Sequence, residues 1–233
     1  MHRPSAAPKL RCGETAGIEA AAGIYGVQMF TIRREQGRLA EVAPALKHFI
    51  DNNPHASAWR PGLALVACDL GFDGPAHKIL AEIAAGGFAI PVDAKRTLTL
   101  SYLAEVCVRL DDGDSAKWVY DLLLPYQDMT VMAPIATVCC GAAARYLGML
   151  AGVLRDWKAA EAHFEHALAL DERLQAWPWH AHTRFEYALV LLKRNRKQDE
   201  DSATELLASA AATAERFGMV ALGQRINACR PAR

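Results

Sequence analysis

The 233-residue sequence contains no run of about 18 uncharged apolar residues, the length that a membrane-spanning helix needs. Its first residues, MHRPSAAPKLRCG, lack the apolar segment of a secretory signal peptide. The 26 Lys and Arg residues balance the 26 Asp and Glu residues, so no net charge attracts nucleic acid or an anionic membrane. These absences predict a cytoplasmic protein that binds neither membranes nor nucleic acid directly.

Motifs for catalysis and for metal or phosphate binding are also missing. The six cysteines form no C-x-x-C pair, which argues against a disulfide framework or a structural zinc site. Cys139 and Cys140 are adjacent; on a helix they would point to different faces, as small core residues rather than a redox pair. There is no G-x-S-x-G, H-E-x-x-H or G-x-x-x-x-G-K-[ST] motif. We therefore expect no catalytic residues, no metal site, no cofactor and no enzymatic activity.

The sequence does contain a repeated spacing of small and apolar residues, which is typical of paired helices. In each of five segments, one small or apolar residue in the first helix is followed by three in the second helix, at spacings of four and then three residues. We call these residues the first-helix and second-helix anchors. That spacing places the second-helix anchors on one helix face. The first-helix anchors are Phe30, Ala64, Ala104, Gly148 and Ala188. The second-helix anchors begin at Val42, Ala76, Ala116, Ala160 and Ala203.

The repeat predicts an all-α fold, a right-handed α–α superhelix of about five tetratricopeptide-like helix pairs with a C-terminal capping helix over 217–229. Residues 1–14 are expected to form a flexible tail and 15–233 a single domain. Its units are expected at about 15–54, 55–93, 94–134, 135–174 and 175–229. Gly and Pro should break the helices within 86–93 and 125–134, and Asp114 and Asp156 are predicted N-caps. No alternating run predicts a strand.

One segment, RYLGMLAGVLRDWKAAEAHFEHAL at 145–168, resembles a tetratricopeptide repeat in both identity and spacing. The matching residues are Leu147, Gly148, Ala160, Phe164 and Ala167. Ala144 and Ala151 stand where the family has its first-helix Trp and Tyr, and the other four units match more loosely. The resemblance implies helix pairs that stack into a solenoid.

Nearly the whole chain resembles the C-terminal helical region of large bacterial signalling ATPases. The resemblance is carried by segments such as QMFTIRREQGRLAEV, HTRFEYALVLL and ERFGM. In that family the region follows a P-loop ATPase that is joined to a nucleotide cyclase or a DNA-binding domain. The resemblance implies a sensor or scaffold arm in signal transduction or transcription regulation. This sequence has no phosphate loop, cyclase segment or helix-turn-helix, so an isolated arm, a truncated product and a stand-alone relative are all open.

Two local patterns have alternative interpretations. His163 and His166 are one helical turn apart, a spacing that can bring two imidazoles to a metal, although a solvated helix face is favoured. Trp177 and Trp179 flank a proline, which is typical of a helix start that packs on the preceding pair. Two indoles in this arrangement could also form a platform for a peptide or a base.

The first helices of such a solenoid line its concave face. Mapping that face onto the anchors predicts a partner-binding surface of Arg34, Asp69, Glu105, Arg109, Arg145 and His182. A surface of mixed charges suits an extended peptide or a charged helix as its partner. Alternatively, these six residues are solvated polar positions that bind no partner. The leading hypothesis is a non-catalytic interaction or scaffold module for a protein or peptide partner, for which a P-loop ATPase or cyclase domain is a candidate. The alternative is a sensor that binds a metabolite between helix pairs.

Overall fold

The computed structural model describes residues 24–45, 48 and 59–229, and this part of the chain is mostly helical, as the repeat predicts. The first helix, α1, covers 24–35, and residues 43–45 and 48 are also helical. The expected tail at 1–14 lies outside the described residues. The α-helices that follow are α2 (Trp59–Asp69), α3 (Asp73–Ala85), α4 (Arg96–Leu110), α5 (Gly113–Leu123), α6 (Ala143–Val153), α7 (Trp157–Arg173), α8 (Trp177–Arg194), α9 (Asp199–Phe217) and α10 (Val220–Cys229).

The helices from α2 to α9 form four consecutive pairs, followed by α10. The two helices of each pair pack against each other, and the second helix of a pair contacts the first helix of the next pair. The first helices α2, α4, α6 and α8 also contact one another in sequence order. Contacts of this kind between neighbouring units build a continuous core in repeat proteins.

The repeated small residues lie in that core, where they allow the helices to approach one another closely. At Gly148 on α6, an added Cβ would lie 3.0 Å from three ring atoms of Phe164 on α7. The Phe164 ring is fully buried and stacks on Tyr187 of α8, with ring centroids 5.0 Å apart. Three helices therefore meet at one aromatic ring. The fully buried alanine anchors are Ala64, Ala76, Ala104, Ala116, Ala160, Ala167, Ala188, Ala203 and Ala210.

Local capping and turn residues determine where the helices start and stop. Asp156 caps α7 as predicted, because its Oδ1 accepts a hydrogen bond from the Ala159 amide at 3.0 Å. The prediction for Asp114 is wrong: Asp112, which has the extended backbone that a cap needs, caps α5 instead. The last helix begins at 220 rather than 217, because Gly218, with φ of +66°, ends α9 in a left-handed cap.

The expectation that the chain has no strand is wrong. Strand β1 (Thr130–Met132) pairs antiparallel with β2 (Cys139–Ala142) between α5 and α6. Strands of three and four residues with an irregular register are too short to show an alternating pattern in the sequence. The hairpin places Cys139 and Cys140 on a strand rather than on a helix.

Candidate functional site

Side chains from α1, α2, α4, α6, α8 and α10 surround one cavity of about 290 Å³, which we call the central cavity. Its lining includes all of the charged residues that the sequence pattern assigns to the concave face, together with four aromatic rings. The charged set is Arg34, Asp69, Glu105, Arg109, Arg145 and His182. The rings are those of Phe30, Tyr102, Tyr146 and Trp179. Residues from five successive segments of the chain thus converge at one place.

The two ends of the described chain meet beside the central cavity. His182 Nε2 on α8 lies 3.0 Å from Glu35 Oε1 on α1. An added Cβ at Gly37, just after α1, would lie 3.4 Å from the side-chain oxygen of Gln224 on α10. The cavity is therefore bordered by helices from both ends of the described chain.

Arg34 organises the charges on one side of the central cavity. Its Nε lies 2.6 Å from Asp69 Oδ2, and its Nη1 and Nη2 donate to the two Glu105 carboxylate oxygens at 3.1 and 2.5 Å. Arg109 is a second, longer partner of Asp69 at 3.5 Å. Burial by itself raises the pKa of Glu105, but the Arg34 charge and hydrogen bonds lower it to about 2. Four of the predicted partner-binding residues therefore bind one another.

Glu35 and His182 form a second pair at the junction of α1 and α8. His182 is largely buried, and its ring stacks on Trp179, with centroids 5.3 Å apart. Burial alone would raise the pKa of Glu35, but the contact with His182 keeps that pKa below its ordinary value. An ionised Glu35 thus holds the first helix against the last pair.

Arg145 differs from the other charged residues of the central cavity. It is 3 % exposed, and its guanidinium carbon lies 4.2 Å from the centroid of the Tyr146 ring and 5.3 Å from that of Trp179. Its Nη2 donates to the Cys140 carbonyl at 3.0 Å, but its buried Nε has no acceptor among the described residues. Burial lowers the pKa of Arg145, yet Tyr146 and the Glu105 carboxylate raise it above its ordinary value, so the guanidinium stays charged.

No family model, curated protein or solved structure matches this chain. Within 24–45 and 59–229, no helix is long and apolar enough to cross a membrane. The same residues contain no group of three His, Cys, Asp or Glu side chains that could hold a metal ion. Fold class does not determine function, so the function has to be inferred from the central cavity and its residues.

The two histidines of α7 do not share a solvated face. His163 is buried, and its Nε2 lies 2.9 Å from the Tyr120 hydroxyl, whereas His166 Nε2 lies 3.0 Å from Asp128 Oδ1 on the surface. The prediction of a solvated face is therefore wrong for His163, because α5 packs over that side of α7. The two imidazoles have different partners.

The Trp-Pro-Trp segment begins α8, as its sequence predicts, with Pro178 in the first turn. The two indoles do not form one platform. Trp177 contacts the edge of His180, whereas Trp179 lines the central cavity. Only one of the two aromatic residues therefore belongs to the candidate site.

Several cavity residues were not found from the sequence. Tyr102 lies on α4 with Glu105 and Arg109 at spacings of three and four, so the helical period could have identified it. Arg225 on α10 could not have been found this way, because α10 lies outside the repeat. Arg225 pairs with Glu186 of α8 at 2.9 Å and closes that side of the cavity.

Proposed function

We propose that this chain is a non-catalytic regulatory module, a right-handed tetratricopeptide-like solenoid, whose central cavity binds a small ligand. The observation that carries the proposal is the convergence of successive first helices and α10 on one cavity of about 290 Å³. This volume is close to the lower end of the range for small-molecule sites. An extended peptide needs an open groove or sheet edge, and the contact between α10 and the end of α1 leaves less room for one.

Ligand binding in the central cavity would act on the geometry of the whole chain. An occupant would touch α1 and α10, which lie at opposite ends of the described chain. A ligand that binds the closed arrangement more tightly than an opened one shifts the population toward closure. This behaviour suits the sensor arm of a cytoplasmic signalling or transcription-regulating ATPase, in which the arm holds or releases the switch.

The proposal is tested by filling the central cavity. Ala221 of α10 lines the cavity, and Ala208 on the exposed side of α9 does not. The melting temperature of the purified chain is measured in the presence of neutral, cationic and anionic metabolites. At least one class is expected to raise the melting temperature saturably. At a ligand concentration one hundred times Kd, the added free energy of unfolding should be about 2.7 kcal/mol. Ala221→Trp should abolish the rise, and Ala208→Trp should preserve it.

Two results of this experiment would count against a ligand-binding cavity. In the first, no compound of any class changes the melting temperature of the wild-type chain. In the second, a compound does so equally in wild type and Ala221→Trp, which would place its site on another part of the surface. Circular dichroism of both Trp variants without ligand checks that the bulky side chain has not unfolded the module.

A second candidate function, binding of a partner protein, is favoured by one surface feature. Trp118 on α5 is 59 % exposed, and its ring stacks on Phe88, with centroids 6.3 Å apart. Tryptophan is enriched among the residues that dominate protein interfaces. The partner in this case is a protein such as the ATPase or cyclase domain of a larger regulator.

The partner-protein candidate is tested by affinity capture from cytoplasmic extract. Trp118→Ser is expected to weaken retention of a specific partner at least tenfold, a typical loss for a central interface tryptophan. Leu174→Ser, at an exposed apolar position after α7, is the matched control. Equal retention by wild type, Trp118→Ser and Leu174→Ser would exclude this surface as the binding site.

A further inference from the structure

Arg145 differs in its carboxylate partners from the other arginines of the central cavity. Each of the other three arginines that line it has a carboxylate partner within 4 Å. These pairs are Arg34 with Asp69 and Glu105, Arg109 with Asp69, and Arg225 with Glu186. Arg145 has no such partner in the described part of the chain, although it is the most deeply buried of the four. A buried charge without a directly bonded counter-charge is costly, and perturbed charged groups of this kind are candidates for a functional site.

Two hydrogen-bond donors at the central cavity also lack acceptors among the residues that the structure describes. Arg145 Nε is buried without a partner, and so is the hydroxyl of Tyr102, a residue that is 5 % exposed. Both residues line the cavity. Buried polar groups are nearly always satisfied in folded proteins, by protein, water or ligand, so two such groups at one cavity leave a place for an acceptor from outside the described residues.

The chemistry of the lining restricts what this acceptor can be. A carboxylate has two acceptor oxygens and matches the planar fork of a guanidinium. A monocarboxylate would supply the close carboxylate that Arg145 lacks among the described residues. A phosphate dianion would bring a second negative charge toward the carboxylates of Glu35, Asp69 and Glu105, which already line the cavity.

The remaining surface of the central cavity suits an apolar, flat ligand body. Trp179 and Tyr146 lie on the guanidinium of Arg145, and Phe30 meets Tyr102 edge to face, with ring centroids 5.7 Å apart. Aromatic side chains favour stacked or edge-on contacts with other planar groups. We propose that the ligand is a small aromatic monocarboxylate whose carboxylate binds Arg145 and the Tyr102 hydroxyl. This proposal rests on the proposed function of the central cavity.

The class of ligand is tested with matched probes and the full chain. Phenylacetate and indole-3-acetate are compared with phenylacetamide and indole-3-acetamide, with phenylethylamine and with inorganic phosphate, by calorimetry and by melting temperature. The two carboxylates are expected to bind saturably and to raise the melting temperature. Their amides should bind at least tenfold more weakly, and the amine and phosphate should not bind.

Variants identify the residues that hold the carboxylate. Arg145→Met is expected to weaken binding of the two carboxylates at least tenfold, whereas Arg173→Met, at an exposed position on α7, should leave it unchanged. Arg145→Met should still fold, because the Cys140 carbonyl keeps its hydrogen bond from the Tyr146 hydroxyl at 2.8 Å. Tyr102→Phe removes only the unpartnered hydroxyl and should weaken binding about threefold to tenfold, as one hydrogen bond to a charged group does.

Each contrary outcome has a distinct meaning. If an amide, an amine or a neutral metabolite binds more tightly than the carboxylates, with an effect that Ala221→Trp abolishes, the carboxylate class is overturned and the ligand-binding function stands. Phosphate binding that depends on Arg145 would likewise overturn the carboxylate class and retain an anion site. If none of these probes binds, the carboxylate class fails; the proposed function fails as well only if the wider set of neutral, cationic and anionic metabolites also leaves the melting temperature unchanged.

Discussion

The Arg34→Met variant is expected to lose about 3–5 kcal/mol of unfolding free energy at neutral pH. Methionine keeps part of the aliphatic stem of arginine but leaves the Asp69 and Glu105 carboxylates without their main partner. Removing one member of a buried ion pair is costly because the remaining charge stays buried. Denaturant unfolding followed by circular dichroism measures the loss.

Acid should reduce the difference between Arg34→Met and wild type. The pKa of Glu105 in the folded chain is about 2, against an ordinary value of 4.5. Because the folded pKa is the lower of the two, the stabilisation is complete above about pH 4.5 and is lost as the pH falls toward 2. Wild type should therefore lose stability over this range, and Arg34→Met should lose less. A difference that stays constant down to pH 2 would contradict this account of Glu105.

Arg38→Met is the matched control for Arg34→Met. Arg38 pairs with Glu41 at 2.6 Å, but the two side chains are 51 % and 48 % exposed. Surface pairs of this kind contribute little to the free energy of unfolding, because water and salt screen both charges. If the two arginine variants lose the same stability, the network around Arg34 contributes no more than a solvent-exposed pair.

The Phe164→Ala variant is expected to lose about 3–5 kcal/mol of unfolding free energy, the usual cost of truncating a buried phenylalanine. The ring fills the space between α6, α7 and α8, against Gly148 and Tyr187. Glycine at 148 has no side chain that could move into the space left by the ring. The cavity created by the truncation should therefore persist, and thermal and denaturant unfolding should both show the loss.

Phe217→Ala provides the comparison for Phe164→Ala. Phe217 ends α9, is 43 % exposed and contacts the Arg216 guanidinium at 5.1 Å from its ring centroid. Its truncation should cost less than that of Phe164, because a large part of its ring is already in contact with water and little cavity would remain. Similar losses in the two variants would mean that the crossing of α6 and α7 is not a main source of stability.

The helix pairs were predictable because their signal is local and periodic. Small residues such as Ala104 and Ala160 recur at fixed spacing, and any residue with that spacing lies on one helix face. The same periodicity predicts that Arg34, Asp69 and Glu105 lie on one face. Periodicity contains no information on short irregular segments, which is why the β1–β2 hairpin was missed.

The sequence could not show whether the selected charges face solvent or one another. Arg34 and Arg145 were predicted as available groups on a concave face, yet the first is held by two carboxylates and the second is 3 % exposed. Charge reversal at either position would therefore lower the stability of the fold as well as any binding, and the two effects could not be separated. Arg109, with a side chain that is 39 % exposed, is a better position at which to test binding alone.

By itself, the sequence determined that the described chain is mostly helical, which residues lie between the helices and which charges point to a common side. These properties follow from spacing within single helices, where the partners are three or four residues apart. Three properties came from the tertiary structure alone: α1 and α10 meet, the common side is a cavity, and Arg145 has no carboxylate within 4 Å among the described residues. Those properties depend on contacts such as Glu35 with His182, which join residues distant in sequence and arise only when the pairs stack.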